Sequence, residues 1–100
     1  MYRAKEPKVF DMNIMYGSNA CPDTIYAIYE LRKQGLHCEY REIGSSMRFM
    51  REFLSYRESD PKFIPVRENG GVGVPFFVME DGRTTLDIDE AFLWLKETAE

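Results

Sequence analysis

The chain has 100 residues, of which 44% are hydrophobic and 30% charged, as is typical of a single globular domain. A formal net charge of −4 argues against nucleic acid as the main partner, because phosphate binding needs a basic surface. No apolar run approaches the ~20 residues that span a membrane, and the charged start, broken at Pro7, lacks the apolar core of a signal peptide. We therefore expect a cytoplasmic protein with neither a membrane nor a nucleic-acid partner.

The first half of the chain predicts a βαβ unit. The apolar run 9–16 predicts a strand that ends at Gly17, and a helix then begins at Pro22, where a missing N–H is tolerated. The apolar positions of this helix recur at helical spacing and are Ile25, Ile28 and Leu31. Gly35 ends the helix, and residues 36–43 predict a second strand. Two strands joined by such a helix pair in parallel, through a right-handed crossover.

A second helix and a broken helical turn follow. Ser45 or Ser46 is expected to cap the second helix. Its apolar residues lie on one side and are Met47, Met50, Phe53 and Leu54. Between residues 59 and 73, Pro65 interrupts any continuous helix, so we expect a short or broken helical turn there.

The remaining part predicts a hairpin and a last helix. Residues 72–79 form the third strand, interrupted by Pro75. Asp81-Gly82 is a typical two-residue hairpin turn, so residues 84–88 return antiparallel. Either Asp87 or Asp89 is then expected to cap the last helix. The apolar residues of that helix are Ala91, Phe92, Leu93 and Leu95. The order β-α-β-α-β-β-α predicts an α/β domain with helices on both faces of a mixed sheet.

Two cysteines and one histidine are too few for a self-contained zinc site, so we expect no metal. Cys21 follows the first strand at the amino end of the first helix, where unpaired N–H groups stabilise a thiolate, the nucleophilic form. From position alone, Cys21 suits a small buried hydrophobe equally well. Cys38 falls at the start of strand two, whereas parallel pairing brings the ends of both strands next to Cys21. The two sulfur atoms should therefore lie well over ~10 Å apart, too far for a disulfide. We expect Cys38 to be a core cysteine and His37 to be structural or exposed.

Three segments, in this order, resemble glutaredoxins. Residues 16–24, Tyr-Gly-Ser-Asn-Ala-Cys-Pro-Asp-Thr, resemble the active-site segment of that family. Residues 73–75, Gly-Val-Pro, resemble a second signature, in which the proline is cis. Residues 87–89, Asp-Ile-Asp, are similar, more loosely, to the acidic segment that grips glutathione. The resemblance implies a thioredoxin-like fold, a four-stranded mixed sheet flanked by three or more helices, in a single glutaredoxin-like domain over residues 1–100.

The resemblance also implies the residues of the site. It makes Cys21 the active-site thiol. Thr24 either donates a hydrogen bond to the thiolate or is an ordinary first-turn hydroxyl. The residues that the resemblance assigns to glutathione binding are Tyr16, Val74, Pro75 and Asp89. In that family, the backbone of the residue at Val74 pairs with the bound peptide or glutathione, and the proline faces the catalytic sulfur.

The sequence departs from the dithiol pattern of the family at several positions. Thr24 replaces the second cysteine, which implies exchange through one thiol. Ser18 stands where the family often has a basic residue, and Leu86-Asp87 replaces a glycine pair ahead of the acidic segment. These changes weaken the expected glutathione site. Three basic residues could bind a carboxylate of glutathione instead: Arg57, Lys62 and Arg67. The alternative is that each is an ordinary solvated surface charge.

The leading hypothesis is therefore a monothiol thiol–disulfide oxidoreductase. It acts through Cys21 on glutathione mixed disulfides or on protein thiols and disulfides. One alternative is a non-catalytic module that binds glutathione or carries an iron–sulfur cluster between two chains. Another is an enzyme similar to arsenate reductase, although no arginine near Cys21 or Pro75 is placed for an oxyanion. The oligomeric state is left open.

Overall fold

A computed structural model describes residues 12–98 of the protein. Its strands are β1 (Ile14–Gly17), β2 (Glu39–Glu42), β3 (Phe76–Val78) and β4 (Thr84–Thr85). Its α-helices are α1 (Pro22–Lys33), α2 (Met47–Ser59), α3 (Ile64–Glu68) and α4 (Ile88–Thr98), and a 3₁₀ turn spans Pro61–Phe63. Within residues 12–98, no helix is both long and apolar enough to cross a membrane.

The four strands form one mixed sheet in the order β2-β1-β3-β4. β1 pairs in parallel with β2 and antiparallel with β3, and β3 pairs antiparallel with β4. The predicted α/β class and element order are confirmed, and the arrangement is compatible with a thioredoxin-like fold. The strands are shorter than predicted: β2 begins at Glu39, β3 begins after Pro75, and β4 has two residues. Residues 9–11 of the predicted first strand lie outside the described part of the chain.

Alternate residues of the central strands face two separate apolar clusters. The cluster on the α1/α4 face comprises Met15, Ala27, Leu31, Phe77, Met79, Ala91, Phe92 and Leu95. The cluster on the α2 face comprises Ile14, Tyr16, Ile43, Phe53, Phe63, Phe76 and Val78. The predicted placement of helices on both faces of the sheet is therefore confirmed.

Several predicted helix ends are confirmed. The Ser46 hydroxyl oxygen caps α2 by accepting a hydrogen bond from the N–H of Phe49 at 3.1 Å. Gly35 follows α1 with φ +67°, a left-handed conformation that glycine adopts without steric cost. The 3₁₀ turn and the short α3 form the predicted broken helical segment, which ends at Gly70.

The predicted buried faces of the helices need correction. α1 buries Thr24, Ala27 and Leu31, whereas Ile25 is 48% exposed. The predicted apolar residues that are exposed in α2 and α4 are Met47, Leu54 and Leu93. In α1 the prediction is confirmed for Leu31, and Ile28 packs against the core, but it was wrong for Ile25, because this helix also turns the small side chains of Thr24 and Ala27 towards the sheet.

Candidate functional site

Cys21 is the N-cap residue of α1. Its backbone is extended (φ −102°, ψ 118°), and its carbonyl oxygen accepts the N–H of Ile25 at 3.1 Å, which closes the first helical turn. Pro22 occupies the first turn, where its missing N–H leaves no bond unmade. The thiol therefore lies at the positive end of the helix dipole, beside N–H groups that have no partner within the helix.

The segment Val74-Pro75 lies directly against the Cys21 thiol. The sulfur is 3.7 Å from the carbonyl oxygen of Val74. The peptide bond between Val74 and Pro75 is cis, as the resemblance implied. β3 begins at the next residue, Phe76, which is paired with Tyr16 near the end of β1. The sheet register thus brings the predicted residues Cys21, Val74 and Pro75 together.

Helices on the far side of the sheet hold the loop that carries Val74. Arg57 of α2 donates from Nε to the carbonyl oxygen of Val72 at 2.9 Å and from Nη2 to that of Gly71 at 2.6 Å. Gly73 has φ +98°, and a Cβ at this position would clash with the ring of Phe63. Arg57 was a candidate carboxylate anchor, and in this structure two of its donors serve the loop backbone.

Two residues of β2 hold the loop between β1 and α1. The Tyr40 hydroxyl donates to Oδ1 of Asn19 at 2.8 Å. The N–H of Asn19 donates to Oε2 of Glu42 at 3.1 Å. The N–H of Cys21 donates to the carbonyl oxygen of Ser18 at 3.0 Å, so Asn19 lies in the tight turn that leads to the thiol.

Tyr40, Glu42 and Cys21 also interact electrostatically. Burial raises the pKa of Tyr40, and the charges of Glu42 and Cys21 raise it further. Neither Tyr40 nor Glu42 was predicted to be a site residue. The predicted parallel pairing brings the ends of both strands to Cys21, and that inference points to the residues at the end of β2.

Thr24 packs beneath this loop. Its side chain is fully buried, and Oγ1 accepts the N–H of Ser18 at 3.3 Å. A Cβ on Gly17 would lie 2.6 Å from Cγ2 of Thr24, so β1 and α1 approach more closely than any other residue at 17 would allow. Thr24 thus stabilises the loop backbone, and a hydrogen bond from Thr24 to the sulfur stays a prediction.

Tyr16, expected to bind glutathione, lies in the α2-face cluster and is 2% exposed. Its hydroxyl donates to Oε1 of Glu52 at 2.9 Å. Burial raises the pKa of Tyr16 above its usual range, and the hydrogen bond to Glu52 raises it further, against the opposing effect of Arg41. Because the side chain is enclosed and its hydroxyl has a protein partner, the candidate site does not include Tyr16.

Arg41 completes the buried polar group around Tyr16. It forms ion pairs with Glu39 and, from Nη1, with Glu52 at 2.6 Å. Burial disfavours the charged form of Arg41, but the hydrogen bonds with Glu39 and Glu52 outweigh burial and raise its pKa. This cation is consequently engaged on the α2 side of the sheet.

The acidic segment 87–89 forms the start of α4. Oδ1 of Asp87 accepts the N–H groups of Asp89 at 2.9 Å and Glu90 at 3.2 Å, which confirms Asp87 as a cap. The pairing of β3 with β4 ends at Phe77 and Thr85, and Asp87 follows two residues after β4. The exposed Asp89 follows in the first turn. Its role in glutathione binding stays a prediction.

The other sequence candidates lie elsewhere. Cys38 packs against the α1/α4-face cluster, and burial raises its pKa to about 12. Cys38 therefore lies at the margin of the core, partly buried, and the prediction of a core cysteine is confirmed only in this weaker form; both cysteines are free thiols. His37 is exposed, as one of the two predicted readings had it. Lys62 pairs with Asp60 at 3.8 Å, and Arg67 donates to the carbonyl oxygen of Arg57 at 2.6 Å.

Comparison with known proteins gives one curated relative. The chain is 29% identical over 77 residues to an uncharacterized protein from Haemophilus influenzae, an alignment that covers 77% of this chain and 90% of the relative. No protein-family model matches the sequence. No solved structure matches it significantly.

Proposed function

We propose that this protein is a monothiol thiol–disulfide oxidoreductase of the glutaredoxin type, with Cys21 as its nucleophile. The observation that supports this best is the position of the Cys21 sulfur. It lies at the amino end of α1, 3.7 Å from the carbonyl oxygen of Val74, which precedes the cis Pro75. A helix amino end favours the thiolate, the form that attacks a disulfide.

In the proposed reaction, the Cys21 thiolate attacks one sulfur of a bound disulfide. A new S–S bond forms between Cys21 and that half of the substrate, and the other half leaves as a thiolate that takes a proton from water. A second thiol from solution then attacks the mixed disulfide and releases Cys21. An external thiol is needed because Thr24 stands at the resolving position and Cys38 lies, partly buried, against the α1/α4-face cluster at the start of β2.

Val74 and Pro75 form the surface against which the substrate lies in this proposal. In the proposed complex, the backbone of Val74 pairs with an extended chain next to its disulfide, since main-chain pairing gives affinity without demanding one sequence. A cytoplasmic location is also proposed, because free thiols such as Cys21 and Cys38 persist in reducing compartments.

The decisive experiment compares the two thiols within the same molecule. The folded protein is treated with a limiting amount of iodoacetamide near neutral pH, and the labelling of each cysteine is followed by peptide mass spectrometry. We expect Cys21 to react more than about tenfold faster than a free cysteine and Cys38 to react far more slowly. In a glutathione-coupled assay with a small disulfide, Cys21→Ser should lose turnover and Cys38→Ala should keep it.

A Cys21 that reacts no faster than a free thiol, in protein shown to be folded by circular dichroism, would contradict the proposed function. Turnover that persists in Cys21→Ser would contradict it as well, because no other described thiol borders Val74.

A further inference from the structure

We infer that Cys21 acts on disulfides whose flanking groups are neutral or cationic, and discriminates against disulfides whose flanking groups are only anionic. This inference rests on the proposed function and specifies its substrate class. It follows from the acidic side chains that lie on both sides of the thiol.

Two carboxylates lie on the β2 and α1 side. Glu42 accepts the N–H of Asn19, two residues before Cys21, and its charge acts on Tyr40 together with that of Cys21. Asp23 is exposed in the first turn of α1, two residues after the thiol. An anion that approaches Cys21 from this side is repelled by both.

On the β3 and β4 side lies the start of α4. Asp87 follows two residues after β4, the strand that pairs with β3, and β3 itself begins directly after Val74-Pro75, the segment that contacts the thiol. A helix amino end ordinarily attracts a carboxylate. Here Asp87 itself accepts the N–H groups of Asp89 and Glu90, so these donors already hold an anion that belongs to the chain.

Two described cations lie on elements next to the site. Arg41 is paired with Glu39 and Glu52 on the other face of the sheet. Arg57 donates to the carbonyl oxygens of Gly71 and Val72, which leave its positive charge in place. The carboxylates of Asp23, Glu42 and Asp87 outnumber this one cation, so the charge around Cys21 favours a neutral or cationic substrate.

The test measures the second-order rate constant for mixed-disulfide formation at Cys21 with three small disulfides. Cystamine carries two ammonium groups, bis(2-hydroxyethyl) disulfide is neutral, and dithiodiglycolate carries two carboxylates. Each rate is divided by that of 2-mercaptoethanol with the same disulfide, which removes differences in intrinsic reactivity. We expect the normalised rate for cystamine to exceed that for dithiodiglycolate by at least about fivefold at low salt. At about 0.5 M salt the ratio should fall towards one.

Two isosteric variants assign the effect to residues. Glu42→Gln keeps an oxygen for the N–H of Asn19, and Asp87→Asn keeps a capping oxygen for α4. Each variant should lower the ratio of the normalised rate for cystamine to that for dithiodiglycolate by about twofold. This is the effect expected in water when one unit charge is removed at roughly two side-chain lengths from the substrate. Glu97→Gln, an exposed position near the other end of α4, makes the same change in net charge and should leave the ratio unchanged.

The outcomes separate this inference from the proposed function. Equal normalised rates for the three disulfides, or a preference for the anion, overturn the inference and leave the oxidoreductase intact. An equal loss of preference in Glu97→Gln and Glu42→Gln overturns it too, because net charge alone would then explain the selectivity. If Cys21 reacts with none of the three disulfides, both this inference and the proposed function are overturned.

Discussion

Tyr40 links the edge strand β2 to the turn that presents Cys21. Its hydroxyl is bonded to the side chain of Asn19, whose backbone N–H is bonded to Glu42. One residue of the turn is thus held at two atoms by two side chains of the same strand. At the scale of single residues, this contact is what joins the sheet to the candidate site.

Tyr40→Phe should lower the free energy of unfolding by about 1 kcal/mol, because it removes the donor to Asn19 while keeping the ring. Urea denaturation measures the change. Tyr29→Phe is the matched control: this tyrosine is 60% exposed on α1, and its loss of a hydroxyl should change stability by less than about 0.5 kcal/mol. Equal effects of the two substitutions would show that the Tyr40 hydroxyl adds nothing to stability.

Cys38 makes stability depend on alkaline pH. A free thiol titrates near ~8.5, whereas burial raises the pKa of Cys38 to about 12 in the folded protein. Below the first value both states hold the proton. Between the two values the unfolded state releases a proton that the folded state retains, so stability falls as pH rises.

This loss of stability is measured as the difference in unfolding free energy between the wild type and Cys38→Ala at several pH values. The advantage of the wild type should be constant below about pH 8 and then shrink by up to about 1.4 kcal/mol per pH unit. If the unfolding free energies of the two proteins depend on pH in the same way, the pKa of Cys38 is not raised in the folded protein.

The sequence predicted the part of the site that short motifs carry. Cys21, Val74 and Pro75 follow from their places in recognisable segments, and the structure brings them together. Tyr40 and Glu42 could not be identified in the same way, because their contacts depend on the pairing of Gly17 with Glu42. Such a strand register is set by hydrogen bonds between distant parts of the chain, so no local spacing of residues in the sequence reveals it.

At the scale of elements, the close approach of β1 and α1 determines where the thiol lies. Gly17, the last residue of β1, lies against the methyl group of Thr24. Thr24 is in the first turn of α1, and its side chain is buried. The same approach explains why α1 buries Thr24 and Ala27 and leaves Ile25 half exposed. Apolar periodicity predicted the existence of the helix but could not reveal that the first two turns of α1, next to Gly17, bury the small side chains of Thr24 and Ala27.

Gly17→Ala should destabilise the protein by about 1–3 kcal/mol, because the added methyl group would lie 2.6 Å from Cγ2 of Thr24. Thr24→Ser removes that carbon and keeps the hydroxyl that accepts the N–H of Ser18. The double variant should therefore recover part of the loss, and thermal unfolding of all four proteins completes a double-mutant cycle. Strict additivity would contradict the proposed contact.

At the scale of the whole molecule, two apolar clusters share one thin sheet. Phe76 and Phe77 are neighbours in β3, both fully buried, yet each belongs to a different cluster. Residues next to each other in a strand point to opposite faces, so these two rings have different neighbours.

Phe76→Leu and Phe77→Leu should each cost about 1–3 kcal/mol of unfolding free energy, since each removes part of a fully buried ring. The double variant should show the sum within about 0.5 kcal/mol, because the affected contacts lie on opposite faces. Chemical denaturation of the single and double variants measures this, and a large coupling energy would mean that the two layers do not pack independently.

The β2 edge of the sheet affects how readily the protein aggregates. Among the strands within residues 12–98, β2 is the terminal one on one side, and three of its four residues, Glu39, Arg41 and Glu42, are charged. An unprotected strand edge is a template on which other chains can add, and charged side chains make such addition costly. Glu42, which supports the candidate site, and the ion-paired Glu39 and Arg41 therefore also oppose strand-to-strand aggregation at high protein concentration.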